Sequence, residues 1–439
     1  MALFYSPQKS AKKRPHFQPV LTADIIDLDY QGAGVAKIRG KTWFIDNALP
    51  SETVQFRVTE DKRRYGLGVT ENILRASPLR QTPKCRFFGE CGGCQSQHIP
   101  SDMQRNAKQQ ALFQRLQKLQ KDIEFMPMMT GEPWQYRRRA RLSLLFDGKT
   151  RQLEMGFRGK GSAQIVAVDR CEVLEPALNN LLPNLTALFA RFSQPASLGH
   201  VELVAADNGV AVLLRVTQNL VESDRTLLLG FAESYGVNLF VQDNQSIRLL
   251  HGEPPYYEIQ GLRLQFDIRD FIQVNADLNR KMVATASDWL ALKPTDRVLD
   301  LFCGMGNFTL PISRLVKSAV GIEGVSAMVT KATKNAEQNH CENVEFYQTD
   351  LDSSFVDKPW ANRPFDKILL DPPRSGAAFA LSALIGLQPE KILYVSCNPA
   401  TLIRDAENLL RAGYRLRRVA MIDMFPHTGH LESISLFEK

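Results

Sequence analysis

Ile392-Leu393-Tyr394-Val395-Ser396-Cys397-Asn398-Pro399 is a short apolar run that ends in small polar residues and a proline. Four branched or aromatic residues without alternation read as a strand buried on both faces. Pro399 suits the first turn of a helix, so the stretch reads strand, turn, helix. The same grammar recurs from residue 266 onward. Segments 298–302, 319–322, 344–348 and 367–370 are strand-like, and helical periodicity fills 326–339 and 400–411. This alternation predicts a doubly wound, Rossmann-like parallel sheet, whose ligands lie beyond the carboxyl ends of its strands. Cys397 stands at such an end and near a helix N-terminus, where a thiol is expected to have a lowered pKa.

A second strand runs into a glycine loop, Val298-Leu299-Asp300-Leu301-Phe302-Cys303-Gly304-Met305-Gly306-Asn307. Glycines let backbone approach a ligand, and Glu323, roughly 20 residues on at the next strand end, suits ribose hydroxyls. The third glycine of a dinucleotide fingerprint is absent, which favours S-adenosylmethionine over a nicotinamide cofactor. Asp350 ends the third strand, where an acid meets an adenine amino group. Asp371-Pro372-Pro373-Arg374 follows the fourth strand; its prolines stiffen a turn and aim Asp371 at the pocket. Cys303 reads as structural and Cys341 as incidental.

A methyl donor beside an activated thiol suits methylation of a pyrimidine ring. C5 of uracil is a poor nucleophile until a thiolate adds at C6, and the C5 proton must then be removed by a base. Cys397 is the candidate nucleophile. In Met424-Phe425-Pro426-His427-Thr428-Gly429-His430-Leu431-Glu432-Ser433 the spacing is not that of a helical zinc motif, so Glu432 reads as the base.

The rest of the chain points to RNA. Segment 18–77 carries short strands at 21–28, 34–38, 41–45 and 53–59, with a basic loop at 61–65. It predicts a five-stranded barrel of the OB type, a frequent oligonucleotide binder. Segment 78–265 is expected to be α+β, with a helix near 101–121 that packs on the catalytic domain and a hairpin turning at Asp207-Asn208-Gly209. It contains Cys85, Cys91, Cys94 and Cys171, an all-thiolate set that suits an iron–sulfur cluster or zinc. Two basic–aromatic stretches, 134–141 and 156–161, suit phosphate binding and base stacking. The net charge of +7 over 439 residues favours a polyanionic partner. Seven cysteines and a polar, basic start (Lys12, Lys13, Arg14) without an apolar core argue for a cytoplasmic protein with free or metal-bound thiols.

Ser-Cys-Asn-Pro, the Asp-Pro-Pro-Arg turn and His-Thr-Gly-His-Leu-Glu together resemble the RNA (uracil-5-)-methyltransferase family over nearly the whole chain. Gln31-Gly32-Ala33-Gly34 with Gly40-Lys41-Thr42-Trp43 resembles a TRAM domain. The resemblance implies Cys397 as nucleophile and Glu432 as the base. It implies donor contacts from Gln273, Phe302, Asn307, Glu323, Asp350 and Asp371, with Asp371 also serving the target base. It implies a [4Fe-4S] cluster on Cys85, Cys91, Cys94 and Cys171. It also implies a monomer acting on an extruded uridine in a single-stranded or looped segment of large-subunit (23S) rRNA. The three domains are then 18–77, 78–265 and 266–439. The same chemistry on tRNA or another rRNA uridine is the near alternative. A non-catalytic iron–sulfur RNA-binding or ribosome assembly factor is the distant one.

Overall fold

The apolar runs of the carboxyl half form the middle of an eight-stranded sheet. Its order is Val344–Gln348, Ser318–Glu323, Arg297–Leu301, Lys367–Leu370, Lys391–Ser396, Glu432–Glu438, Arg415–Ile422 and Glu124–Phe125. The first five strands are parallel. Glu432–Glu438 is inserted antiparallel between Lys391–Ser396 and Arg415–Ile422. The runs are unbroken because helices cover both faces: Ile368, Leu369, Leu370, Ile392, Leu393, Tyr394 and Val395 are all fully buried. The order reverses at Arg297–Leu301, which opens the ligand crevice of such sheets. This computed structural model describes residues 19–351, 355 and 357–439. The basic cluster Lys12, Lys13 and Arg14 lies outside the described residues, as does residue 18.

Residues 139–251 build a seven-stranded sheet, ordered Ile165–Ala167, Gln152–Arg158, Arg139–Asp147, Leu198–Ala206, Gly209–Val216, Asn238–Gln242 and Ile247–His251. The hairpin turns where Asp207-Asn208-Gly209 predicts, with Gly209 at φ 111°. Helix Glu222–Tyr235 carries the crossover to the parallel strand Asn238–Gln242. One core runs from this sheet into the catalytic one: Val204, Leu213 and Phe240 pack in the same cluster as Leu278, Val298, Leu369 and Leu393. The chain accordingly forms two compact units, Met1–Thr82 with His98–Ala107, and Pro83–Gln97 with Lys108–Lys439.

In the first unit, the opening strand bends at Ile25. Val20–Asp24 pairs with Thr53–Asp61 and Asp27–Leu28 with Gly34–Ile38, which closes the five-stranded barrel on itself. The sequence reading missed the strand Tyr65–Arg75, whose first half contains two glycines. A Cβ on Gly66 would stand 2.3 Å from the Trp43 ring, and one on Gly68 2.3 Å from Phe56. Aromatic rings from other strands fill those positions, so the strand carries little apolar signal of its own. The expected basic loop shortens to a hairpin tip at residues 62–64, all exposed.

Among the described residues no helix is long and apolar enough to cross a membrane. Helix Ser101–Leu119 spans the division between the units, and its later part is tied to the catalytic sheet. There Lys108 Nζ meets Asp423 Oδ1 at 3.2 Å with both groups buried, and Phe113 stacks on Phe125.

Candidate active site

Strand register alone brings the chemistry-bearing residues into one row. The parallel pairs Leu301 with Ile322, Leu301 with Leu370, and Leu370 with Tyr394 align the carboxyl ends of four strands. Phe302, Glu323 and Asp371 each follow or close one of these ends. The antiparallel pairing of Lys391–Ser396 with Glu432–Glu438 finishes at Ser396 opposite Ser433. Cys397 and Glu432 are the residues next to this last pair, and the Glu432 carboxyl is near enough to raise the Cys397 thiol. The inserted antiparallel strand therefore delivers a carboxyl group to the thiol from the far end of the chain.

The turns holding these groups are stapled to one another. Asn398 caps helix Pro399–Arg411 through Ala400 N, and its Nδ2 donates to Arg374 O at 2.9 Å. Thr401 Oγ1 donates to the same carbonyl, and Arg404 Nη2 to Ser375 O at 2.9 Å. The Asp-Pro-Pro-Arg turn thus cannot shift without the Cys397 turn. Arg374 Nη2 also lies 3.2 Å from His430 Nδ1. A guanidinium only donates, so that ring nitrogen accepts, and the neutral imidazole carries its proton on Nε2. Burial and the Arg374 charge both hold His430 below its ordinary pKa.

Burial sets the ionisation of the site. The Glu432 carboxyl, 4% exposed, is pushed up to about 8 by burial and by the neighbouring Asp371. Burial pushes Asp371 itself up to about 7. The Cys397 thiol is raised as well, by burial first and then by Glu432 and Asp371, with Arg374 opposing. This corrects the expectation of a lowered thiol pKa: two carboxyls and partial burial outweigh the helix N-terminus. Burial thus holds these groups toward their neutral forms, and the Arg374 charge is the one that favours a thiolate at Cys397.

Phe302, Asn307 and Glu323, three of the expected donor residues, lie on the glycine loop or at the end of the neighbouring strand. Phe302 has φ 63°, uncommon for a bulky residue, and Gly304 and Gly306 follow at φ 56° and 97°. A Cβ on Gly304 would touch nothing, so the loop leaves open space. Glu323 accepts from Gly304 N (3.1 Å) and Val325 N (3.0 Å), which fixes its carboxylate at the loop. Asn307 is held by Tyr257 Oη and by a reciprocal amide pair with Asn279. Tyr257 and Asn279 had no signal in the sequence. Gln273 is buried, and Arg138 Nε grips its carbonyl at 2.7 Å. Asp350 is exposed past the end of Val344–Gln348. Asp300 is buried beneath the loop, bonded to Thr309 at 2.5 Å and raised to about 8 by burial. Cys303 is buried, in keeping with a structural role.

Two expectations for the central segment change. Arg138 is buried over the Tyr257 ring, and Arg139 is ion-paired with Glu202, so both serve the fold. Trp134 stacks on His427, with ring centroids 4.0 Å apart. Arg141 instead joins Arg158 and Lys160 around an open groove of about 1010 Å³, also lined by Gly92, Gly93, Gln95 and Phe157. Cys85, Cys91, Cys94 and Cys171 are near enough for each of the other three thiols to raise the pKa of Cys94. Among the described residues, however, no three His, Cys, Asp or Glu side chains converge on a single-ion site.

Comparison with known proteins matches this geometry. The family described as tRNA (Uracil-5-)-methyltransferase matches residues 101–439, and the TRAM domain matches 19–70. The chain is 65% identical, over all of both sequences, to the 23S rRNA (uracil(1939)-C(5))-methyltransferase RlmD of Histophilus somni. It is 63% identical over the same extent to the protein of that name from Mannheimia succiniciproducens. Among solved structures, the tRNA (uracil-54, C5)-methyltransferase of Pyrococcus abyssi has the same fold. It aligns with a TM-score of 0.75 at 22% identity over 95% of this chain and 99% of that one.

Proposed function

The chain belongs to the RNA (uracil-5-)-methyltransferase family, and on that premise we propose that it methylates C5 of one uridine in 23S rRNA from S-adenosylmethionine, using Cys397 and Glu432. The observation that supports the residue assignment is the ladder that ends at Ser396 opposite Ser433, one residue before Cys397 and one after Glu432, with Asp371 directly after the neighbouring strand. The Cys397 thiolate adds to uracil C6, and the ring electrons shift toward C5 and the C4 oxygen. S-adenosylmethionine would supply the electrophilic methyl that C5 takes up, its sulfur–methyl bond breaking to leave S-adenosylhomocysteine. Glu432 then removes the C5 proton, the C5–C6 double bond re-forms, and the sulfur leaves C6. A carboxylate whose conjugate acid titrates near 8 is a stronger base than an ordinary one and is matched to neutral pH.

Phe302, Asn307, Glu323 and the glycine loop would hold the donor, with Gln273, Asp350 and Asp371 completing the pocket. Reaching C5 requires a uridine extruded from a single-stranded or looped segment. We assign RNA binding to the barrel (18–77) and to the Arg141–Arg158–Lys160 groove, in a cytoplasmic monomer. The test is direct. Labelled donor with unmodified 23S rRNA should place label on C5 of one uridine, while tRNA stays unlabelled. Label on tRNA, or none on either, removes this reading.

Cys85, Cys91, Cys94 and Cys171 would hold a [4Fe-4S] cluster. Each of the other three thiols acts on Cys94, so the four stand as one all-thiolate group, and the Gly92-Gly93 pair between two of them permits tight wrapping. A [4Fe-4S] cluster is held by four such thiolates. Its work is structural, since Cys171 ties the central sheet to the 85–94 segment. Anaerobically purified protein should be brown, with iron and sulfide in equal amounts. Cys171→Ser should bleach it and lower its Tm. Colourless protein with stoichiometric zinc removes the cluster.

A further inference from the structure

We propose that Gln95 is a positioning residue that sets the 425–431 loop and thereby aims Glu432. The inference rests on the proton-removal role assigned to Glu432 above. The loop is held from outside: His427 adopts φ 63°, a conformation a non-glycine side chain keeps only when its surroundings enforce it. Tyr136 Oη donates to Pro426 O at 3.0 Å, Lys108 Nζ to Phe425 O at 3.3 Å, and Trp134 stacks on the His427 ring. Gln95 N and Ser96 N both donate to His427 O, at 2.9 and 3.3 Å. Gly429 N donates to Gln95 Oε1 at 3.1 Å.

The bond to Gly429 is the last of these anchors before Glu432, three residues on. Gln95 is well placed to transmit the state of its surroundings. It directly follows Cys94, and the Gln97 side chain accepts from Cys85 N at 3.0 Å, so the cysteine segment is internally braced. Gln95 also lines the basic groove. A residue that lines the RNA groove thus also helps to fix the loop that leads to the carboxyl group. A loop that drifts should spare methyl transfer, which needs Cys397 and the donor, and impair the later proton removal.

The experiment compares how each variant divides between methyl transfer and release at saturating RNA. Gln95→Met keeps the volume and loses the acceptor for Gly429 N. At saturating RNA its release should be affected far more than its first-turnover methyl transfer. Release should slow about tenfold, the scale of one lost hydrogen bond, and a methylated covalent protein–RNA adduct should accumulate on denaturing gels. Gln95→Glu, which keeps an acceptor at the same reach, should return the adduct to the parent level. Gln95→Ala carries the same test if the methionine variant does not fold. Slow turnover without adduct, or the parent's division between steps, overturns the inference while leaving Glu432 as the base. A Glu432→Gln protein that forms no adduct overturns the base assignment and this inference with it.

Discussion

A Cys397→Ala protein should bind its RNA and donor as the parent does and lose methyl transfer by at least about 10⁴-fold, the scale seen when a covalent nucleophile is removed. Binding contacts cannot replace the thiolate, because C5 acquires nucleophilic character only while sulfur is bonded to C6. The loss should appear in single-turnover rates as well as at steady state, since addition precedes transfer. Near-parent turnover would remove Cys397 from the reaction. The parent's own pH profile belongs to the same argument. Burial and two carboxyls raise the thiol, and Glu432 titrates near 8. The reactive forms of both groups are the deprotonated ones. Single-turnover methyl transfer should therefore climb with pH as the thiolate forms, and release of the product should climb through about 8 as Glu432 ionises. A profile already flat at pH 6 would mean that substrate binding resets these ionisations.

The catalytic sheet was legible because its strands are buried on both faces and read as continuous apolar runs, bounded by Gly, Pro and Asn. The candidate residues at their carboxyl ends were legible for the same reason. The antiparallel insertion that brings Glu432 near Cys397 was not, since neither strand states its partner. Nor was the direction of the Cys397 shift. A helix N-terminus is visible in a sequence, whereas the burial of Glu432 and Asp371 beside the thiol is a product of packing. The arginines of 137–141 look alike on paper. Alternation along the strand Arg139–Asp147 puts Arg139 and Arg141 on one face, where Glu202 pairs with Arg139 and Arg141 stays mostly exposed, while Arg138 is buried over the Tyr257 ring. Gln95 carried no signal beyond its place next to Cys94. Its importance lies in two bonds made to residues more than 300 positions away.

The Glu432→Gln protein should methylate once and stall. The substitution keeps the size of the side chain and some hydrogen bonding and removes the base, so C5 gains its methyl while C6 remains bonded to Cys397. Labelled donor should yield a slow-migrating, denaturation-resistant band, and the double variant lacking Cys397 should yield none. Free methylated RNA at the parent rate would assign the proton to another group, such as the neighbouring Asp371 or a water. The same variant should also be more stable than the parent, in a pH-dependent way. In the folded parent Glu432 stays protonated up to about 8, whereas a glutamate in the unfolded chain ionises near 4.5. Between those values the unfolded state gains by releasing the proton, so the parent's stability falls as pH rises through this window and levels off above it. Glutamine releases no proton and escapes the penalty. The Tm advantage of Glu432→Gln should be smallest near pH 4.5 and grow to its full size near pH 8, with an upper bound of roughly 3 kcal/mol at pH 7. A pH-independent difference in Tm would show that the carboxyl group is ionised in the folded enzyme. An ionised Glu432 would accept the C5 proton at once, whereas one that titrates near 8 couples release of the product to pH.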